Sequence, residues 1–475
     1  MRTWNPFWTW VAAGLMASMT AAAGAEAVDR PDVLFIAVDD LNDWVGVLGG
    51  HPQTRTPHID RLAARGMLFA NAHAAAPACN PSRAALLTGV RPSSSGVYTN
   101  LEDWRVAPKL RQAPTLPQYF RRNGYRTLGG GKIFHAHTYF RQGFIGLQQP
   151  EAWDEFYPSK KRQLPDELRP HGWPMNRNPG IIFGLFDWSP ISAEDFATGD
   201  GQVIRWAEKK LAQEHEGPRF LAAGIYRPHL PWYNTQRYFD MHPLERIELP
   251  PTRADDLMDV PLAGQRGLQV GMHEWVLKND HWKAAVQGYL ASISFADAMV
   301  GKLVAALDRS GRAEKTVIVL FSDHGLHLGE KGHWRKFSLW EESTHVPLII
   351  VAPGVTTAGS STGKPVSLMD LYPTLAELCG IDIPSHIEGN SLLPLLRDPA
   401  ADWDHAAITT WRRNNHAVRT ERYRYIRYAD GSEELYDHAT DAHEWTNLAS
   451  ERAYGDLKER LAARLPKINA AAVTR

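Results

Sequence analysis

The most constraining feature of this chain is a pattern that occurs twice: a short, largely apolar run that stops on acidic residues. Asp32 to Val38 ends in Asp39-Asp40, and Thr316 to Phe321 ends in Ser322-Asp323-His324-Gly325. Neither run alternates apolar with polar residues, so neither suits a sheet with one wet face. Each reads as a strand buried on both sides, as in the parallel sheets of α/β proteins. The acids then stand at the carboxyl ends of these strands, where open α/β sheets bind ligands.

The rest of the chain keeps this rhythm. Thr56 as N-cap, Pro57 in the first turn and Gly66 past the end mark a helix carrying Ile59, Leu62 and Ala63. A helix over about 115–122 stops at Asn123-Gly124 and leads to a strand near 126–128 and the loop Gly129-Gly130-Gly131-Lys132. A helix near 202–213 and a strand over 220–225 deliver Arg227-Pro228-His229, and Pro347 to Val351 reads as a further strand. Val286, Leu290, Ile293, Val300, Val304 and Leu307 recur at helical spacing over about 281–309, where Asp297 is a cap partner or a solvated charge. Residues 141–190 lose the periodicity to Trp, Pro, Gly and mixed charge, an irregular surface excursion of the kind that shapes binding sites. Beyond about 398, alternating segments turn at Asp430-Gly431, a hairpin signal, and a helix near 454–465 follows. The expected organisation is a signal segment over 1–27, an α/β domain over 28–397 and a small antiparallel α+β subdomain over 398–475.

A chain of 475 residues, 44% hydrophobic and 22% charged, has enough apolar content for a sizeable core. Its 52 Lys and Arg against 53 Asp and Glu leave a formal charge of −1, so no overall field draws it to nucleic acid or an acidic membrane. An anionic ligand must be held by local cations. Two cysteines, Cys79 and Cys379, exclude a disulfide framework and a cysteine-rich zinc module. Arg2, the apolar stretch from Trp8 to Ala23 and Ala25-Glu26-Ala27 follow the order of a secretory signal, so export to the periplasm or medium is expected, an uncleaved anchor being the alternative. No later segment reads as long and apolar enough to span a bilayer, so no membrane span is expected after cleavage.

The string Cys79-Asn80-Pro81-Ser82-Arg83-Ala84-Ala85-Leu86-Leu87-Thr88-Gly89 carries the most chemistry. By itself Cys79 reads as a buried structural thiol or half of a bridge to Cys379. The whole string, with proline two residues on, arginine four on and then Leu-Thr-Gly, resembles the signature of the type I, formylglycine-dependent sulfatases, in which the cysteine is oxidised to Cα-formylglycine (3-oxoalanine). The resemblance continues residue by residue: Asp39-Asp40 looks like the paired metal-binding aspartates, Gly131-Lys132-Ile133-Phe134-His135 like the lysine and histidine loop, and Arg227-Pro228-His229 like the loop with a further active-site histidine. Ser322-Asp323-His324-Gly325 resembles the second metal-ligand pair, and Lys336 the lysine that follows it. Within the family, Lys132-Ile133-Phe134-His135, His324 and Thr344-His345-Val346-Pro347-Leu348 look most like iduronate-2-sulfatases and related bacterial enzymes. Leu326 and Phe337 depart from that pattern, which has Trp and Tyr there.

The resemblance implies an alkaline-phosphatase-like α/β fold, a large mixed central sheet flanked by helices, and a sulfuric ester hydrolase acting on a sulfated saccharide. It also implies a formylglycine-generating enzyme as maturation partner. One hydroxyl of the hydrated aldehyde, deprotonated on a divalent cation, attacks sulfur, and the other later loses its proton to release sulfate. Asp39, Asp40, Asp323, His324 and the modified Cys79 make a mostly hard-oxygen metal site suited to Ca²⁺, with Mg²⁺ as second choice, although the imidazole leaves softer metals open. Arg83, one helical turn from Cys79, is expected to hold a formylglycine hydroxyl or a sulfate oxygen. Lys132 and Lys336 supply charge to the sulfate oxygens, and His135 and His229 are the two candidates for proton transfer. Tyr98 matches a substrate-pocket tyrosine of the iduronate-2-sulfatase pattern. His73, His137, His327, His333 and His345 read as structural or rim residues, and the Trp411-Arg412-Arg413 loop with Arg419 binds a substrate acid or merely solvates the subdomain.

Three rivals stand beside this reading. The same superfamily hydrolyses phosphate and phosphonate esters with the same nucleophile, and an exported glycan-binding protein with Cys79 unconverted would keep the fold without the chemistry. A zinc hydrolase lacks support, since no His-Glu-x-x-His spacing occurs.

Overall fold

The computed structural model describes residue 1 and residues 30–137, 146–176 and 185–474, so the signal segment expected over 1–27 lies, but for Met1, outside the described residues. The centre is an eight-stranded sheet in the order Ser360–Thr362, Met67–Phe69, Leu348–Val351, Thr316–Ser322, Asp32–Asp39, Arg219–Pro228, Arg126–Gly131 and Glu155–Tyr157. Leu348–Val351 runs antiparallel to both its neighbours and every other pairing is parallel, which makes the sheet mixed.

The missing alternation in Asp32–Asp39 has its cause in two dry faces. Val33, Phe35 and Ala37 pack with Leu86, Leu87, Phe120 and Leu375, while Leu34, Ile36 and Val38 pack with Ile59, Leu62, Ile204 and Leu290. Helices Cys79–Thr88, Leu116–Arg122 and Leu371–Leu378 therefore cover one face, and Pro57–Arg65, Gly199–Leu211 and Trp282–Arg309 the other. Register brings the functional ends level: Val38 pairs with both Ser322 and Ile225, Asp39 with Pro228, and Gly131 with Gly224.

Helix Trp282–Arg309 has 28 residues and is long and apolar enough to cross a membrane, contrary to the expectation that no later segment is. Lys283, Gln287 and Asp297 interrupt the apolar run in sequence, yet most of the helix is buried against the sheet and neighbouring helices. Asp297 resolves as a cap partner. Its Oδ1 accepts the N–H groups of His58 at 2.9 Å and Ile59 at 2.8 Å, doing for helix Pro57–Arg65 what the Thr56 side chain does not.

The excursion expected over 141–190 is not wholly irregular. Glu155–Tyr157 adds the edge strand of the large sheet, and Trp188–Ile191 pairs in parallel with Trp232–Thr235. Strands of three and four residues are too short to show a period in sequence. Residues 138–145 and 177–184 of this stretch lie outside the described residues. The C-terminal part is a four-stranded antiparallel sheet, Ala407–Thr410, His416–Arg419, Tyr423–Arg427 and Glu433–Asp437, with helix Gly455–Ala462 packed on it. Buried Arg424 ties this sheet to the large domain through Glu341 and the carbonyl of Leu339.

Candidate active site

Cys79 opens helix Cys79–Thr88 with its side chain fully buried. Lys336 Nζ stands 3.1 Å from its Sγ, His324 Nε2 3.3 Å, Lys132 Nζ 3.7 Å and Asp40 Oδ1 4.0 Å. His135 and His229 face the same thiol. Burial alone would raise the Cys79 pKa, but Lys132, Lys336 and His324 together hold it well below the ordinary thiol value. An atom at this position is therefore stabilised as an anion. Both cysteines are free, so the bridge to Cys379 does not form.

Backbone geometry fixes each contributor. Asp40 adopts a left-handed φ of 61°, its carbonyl accepting the Tyr289 hydroxyl at 2.8 Å and its N–H donating to Asp323 Oδ1 at 3.2 Å. Lys132 follows the close approach of two strands: a Cβ on Gly131 would lie 2.0 Å from the Gly224 carbonyl oxygen, and one on Gly224 would lie 2.4 Å from the Lys132 nitrogen. Glycine is required at both positions. Lys336 sits between two non-glycine residues in left-handed backbone, Arg335 at φ 75° and Phe337 at φ 84°. Its carbonyl is held by His333 Nε2 at 2.8 Å, and because His333 Nδ1 accepts the Gln269 N–H, the proton on that ring lies at Nε2.

The carboxylates and cations alternate around the thiol. Lys132 is ion-paired with Asp39, and Lys336 with Asp40. Arg83, 1% exposed, donates Nε to Asp323 at 2.8 Å and Nη2 to Asp39 at 2.9 Å, while Nη1 serves the carbonyls of Lys132 and Ile133. The side chain expected to hold a hydroxyl or a sulfate oxygen thus also spends donors on the aspartates and on the Lys132 loop. One helical turn below the thiol, it meets the two aspartates first and acts as a positioning residue for them. Burial raises the Asp39 carboxyl well above its usual range, with Asp323 and Cys79 adding to it, whereas Asp323 is brought down to about 2 because Arg83 and His324 outweigh its burial.

This donor set fits a divalent cation. One ligand atom each from Asp39, Asp40, Cys79 and His324 lies within 4.8 Å of the others, and Asp323 Oδ2 is 3.5 Å from His324 Nε2. His324 Nδ1 faces the Gly325 carbonyl at 3.0 Å and must donate there, which turns Nε2 toward the cluster, the usual way a metal-binding imidazole is oriented. His229 is similar: Nδ1 donates to the Leu230 carbonyl, Nε2 lies 3.9 Å from Asp40 Oδ2, and burial lowers its pKa to about 4, so the ring is neutral.

Eight of the nine sequence candidates beyond Cys79 and Arg83 converge here: Asp39, Asp40, Lys132, His135, His229, Asp323, His324 and Lys336. Tyr98 does not join them. Its hydroxyl donates to the Ala470 carbonyl at 2.8 Å, because the C-terminal tail folds back over it. Leu326 is fully buried in the core, which explains why an aliphatic residue stands there. His73, His327, His333 and His345 bond to Asn71, Ser338, Lys336 and Ala70 respectively, as structural residues do. His137, expected to be structural or at the rim, has its ring 4.9 Å from His135 and 5.3 Å from His229. Tyr226, under Lys132 Nζ at 4.7 Å, and Arg335 also belong to the site, and no motif spacing announced them.

The sulfatase family model matches residues 31–381, and the model of the N-sulphoglucosamine sulphohydrolase C-terminal region matches 329–471. The chain is 39% identical over 460 residues to a sulfatase of Formosa agariphila, covering 93% of this chain and 88% of that protein. It is 31% identical over 418 residues to the iduronate 2-sulfatase of Homo sapiens, covering 78% and 74%. A solved structure in complex with its substrate D-glucosamine-2-N,6-O-disulfate shares the fold with a TM-score of 0.70 at 21% identity, over 91% of this chain and 96% of that one. The alkaline-phosphatase-like architecture is thus as expected, and with a family model spanning most of its length and the motif residues gathered around one thiol, this chain belongs to the sulfatase family and is a sulfatase enzyme.

Proposed function

We propose that the protein removes sulfate from a sulfated saccharide, using Cys79 converted to Cα-formylglycine as nucleophile and Ca²⁺ held by Asp39, Asp40, Asp323 and His324. The observation that carries this reading is the convergence of Lys336, His324 and Lys132 on one buried atom of Cys79, within 3.1 to 3.7 Å. A bound divalent cation would supply Lewis acidity, and the modified residue an oxygen nucleophile that serine does not match. Lys132 and Lys336 are fixed before substrate arrives and face the place where sulfate oxygens gain charge, so they lower the barrier without reorganising. His229, neutral with its proton on Nδ1, has an Nε2 lone pair to accept a proton beside the nucleophile. His135, packed edge-on against His137, is the second proton-transfer group. A saccharide substrate is supported by the relative named for sulfated iduronate. We further propose that the chain is exported through its 1–27 segment and matured by a formylglycine-generating enzyme.

The test is peptide mass spectrometry of the Cys79 fragment, from protein made with that maturation enzyme, coupled to turnover of matched sulfate, phosphate and phosphonate esters. Conversion with preferential sulfate release is the expected result. Preferential phosphonate or phosphate release would favour the hydrolases of the same superfamily, and an unconverted, inactive Cys79 that still binds glycan would favour a binding protein.

A further inference from the structure

The three cations nearest Cys79 or its aspartates are each neutralised: Arg83 by Asp39 and Asp323, Lys132 by Asp39, and Lys336 by Asp40. A fourth cation, Arg335, differs. Among the described residues its guanidinium makes no hydrogen bond or ion pair, and it rests 5.5 Å from the ring of Phe337. Burial disfavours its charged form while Asp40, Cys79 and Tyr226 favour it, and its neighbour in the chain, Lys336, reaches Cys79 Sγ at 3.1 Å. A guanidinium partly removed from water and left without a counter-ion is costly until a ligand supplies one.

What lies next to it fits a sugar. Phe337, the ring on which Arg335 rests, lines a cavity of about 160 Å³ with Trp411, Arg412, Arg266, Asn415 and Asp430, and Arg335 stands at its edge rather than in its lining. Phe337 stacks on Trp411 with ring centroids 5.2 Å apart and planes 27° from parallel, and Arg412 lies 5.4 Å from the Trp411 ring. Half-buried Phe337 and Trp411 thus form an aromatic surface with arginines on its borders. Left-handed backbone at Arg335, Phe337 and Arg412 holds this arrangement, conformations that non-glycine residues adopt at a cost and that gather at binding sites. Aromatic faces take the apolar face of a pyranose, and guanidinium forks pair with carboxylate or sulfate oxygens.

We propose that Arg335 is a specificity-determining residue that pairs with a second acidic group of the sulfated saccharide, a carboxylate or a further sulfate, while the sugar lies against Phe337 and Trp411. The inference rests on the sulfatase reading above and adds what the substrate must carry besides the scissile ester.

The experiment compares three sulfated sugars: one with a single sulfate and no other acid, one with a second sulfate, and one with a carboxylate. Wild type, Arg335→Gln and Arg335→Lys are assayed on each, with Cys79 conversion and metal content matched. The wild type is expected to prefer a diacidic sugar. Arg335→Gln is expected to lower kcat/KM on that sugar about ten- to a hundredfold, through KM, and to lower the ratio of diacid to monoacid activity by a similar factor. Arg335→Lys, which keeps the charge, restores part of the ratio and also serves if the glutamine variant fails to fold. Whichever diacid loses its advantage identifies the acid recognised. An equal fall on all three sugars, or a ratio that does not move, would overturn the proposal. A wild-type enzyme that is converted and loaded yet releases sulfate from no sugar would overturn the function on which it rests, a result separate from any change in ratio.

Discussion

Replacing Lys336 by methionine removes one positive charge beside the nucleophile while keeping an apolar stem of similar length. Lys336 Nζ lies 3.1 Å from Cys79 Sγ, and the residue is 1% exposed, so no water takes over its role. Burial works against its charge, but Asp40 and Cys79 keep the ammonium protonated. A unit charge about 4 Å from a sulfate oxygen interacts by about 4 kcal/mol at an effective dielectric of about 20. Only the part of that attraction that grows in the transition state accelerates the reaction, and one preorganised donor aimed at developing charge is worth about 2.7–4 kcal/mol. The expected outcome is a kcat lower by about 10²–10³-fold with a smaller change in KM. Steady-state hydrolysis of an aryl sulfate measures it, with Cys79 conversion and bound metal determined on the same sample, because an unconverted variant would imitate the loss. A kcat within about threefold of wild type at matched conversion and metal, under about 0.7 kcal/mol, would refute the role given to this lysine.

Gly224→Ala places a Cβ 2.4 Å from the Lys132 nitrogen, so the Lys132 loop must shift; a fall in kcat of about 10²-fold with about 1–3 kcal/mol of destabilisation is expected, read by kinetics and urea unfolding. Burial raises Asp297 to about 7, so between about pH 4 and pH 7 the folded chain holds a proton that the unfolded chain releases, and stability falls as pH rises through that window. Asp297→Asn keeps an acceptor for the His58 and Ile59 N–H groups without the ionisation; the stability of wild type minus that of the variant should decline from pH 4 to pH 7.5 by up to about 4 kcal/mol, and a flat difference would contradict the assignment. Arg83, Lys132 and Lys336 pair with Asp39, Asp40 and Asp323, so chelation should stop turnover and lower Tm while far-UV circular dichroism at 25 °C stays native; unfolding on chelation would show that the protein does not balance these charges itself.

Sequence reasoning reached the strand ends because their physics is local. An apolar run without alternation followed by acids admits few placements, and Asp39, Asp40, Asp323 and His324 meet where three parallel strands finish level. It missed what depends on long-range packing. Helical spacing shows that Arg83 shares a side with Cys79, but not that Asp323, 240 residues away in sequence, takes its Nε. Tyr98 matches a pocket residue by pattern, but a tail that returns to Gly96 and Ser93 takes its hydroxyl. Glu155–Tyr157 was invisible because an edge strand of three residues leaves no period to detect. His137 looked like its structural neighbours, since nothing in the spacing of a lone histidine says that it will lie between two others.

The division between strand ends and loops also separates reaction from recognition. Most of the groups around the thiol stand at the ends of strands of the large sheet: Lys132 is pinned by the contact of Gly131 with Gly224, His324 by its bond to the Gly325 carbonyl, and Asp39 and Asp323 by Arg83. Such groups leave little room for variation, because moving one carboxylate unpairs a buried cation at a cost of several kcal/mol. Arg335, Phe337, Trp411 and Arg412 carry no such obligation: they stand on left-handed backbone and on a loop between two strands of the C-terminal sheet, and among the described residues the Arg335 guanidinium has no ion pair to lose. Substitutions there are therefore expected to change which sugar is accepted without disturbing the charge balance around Cys79.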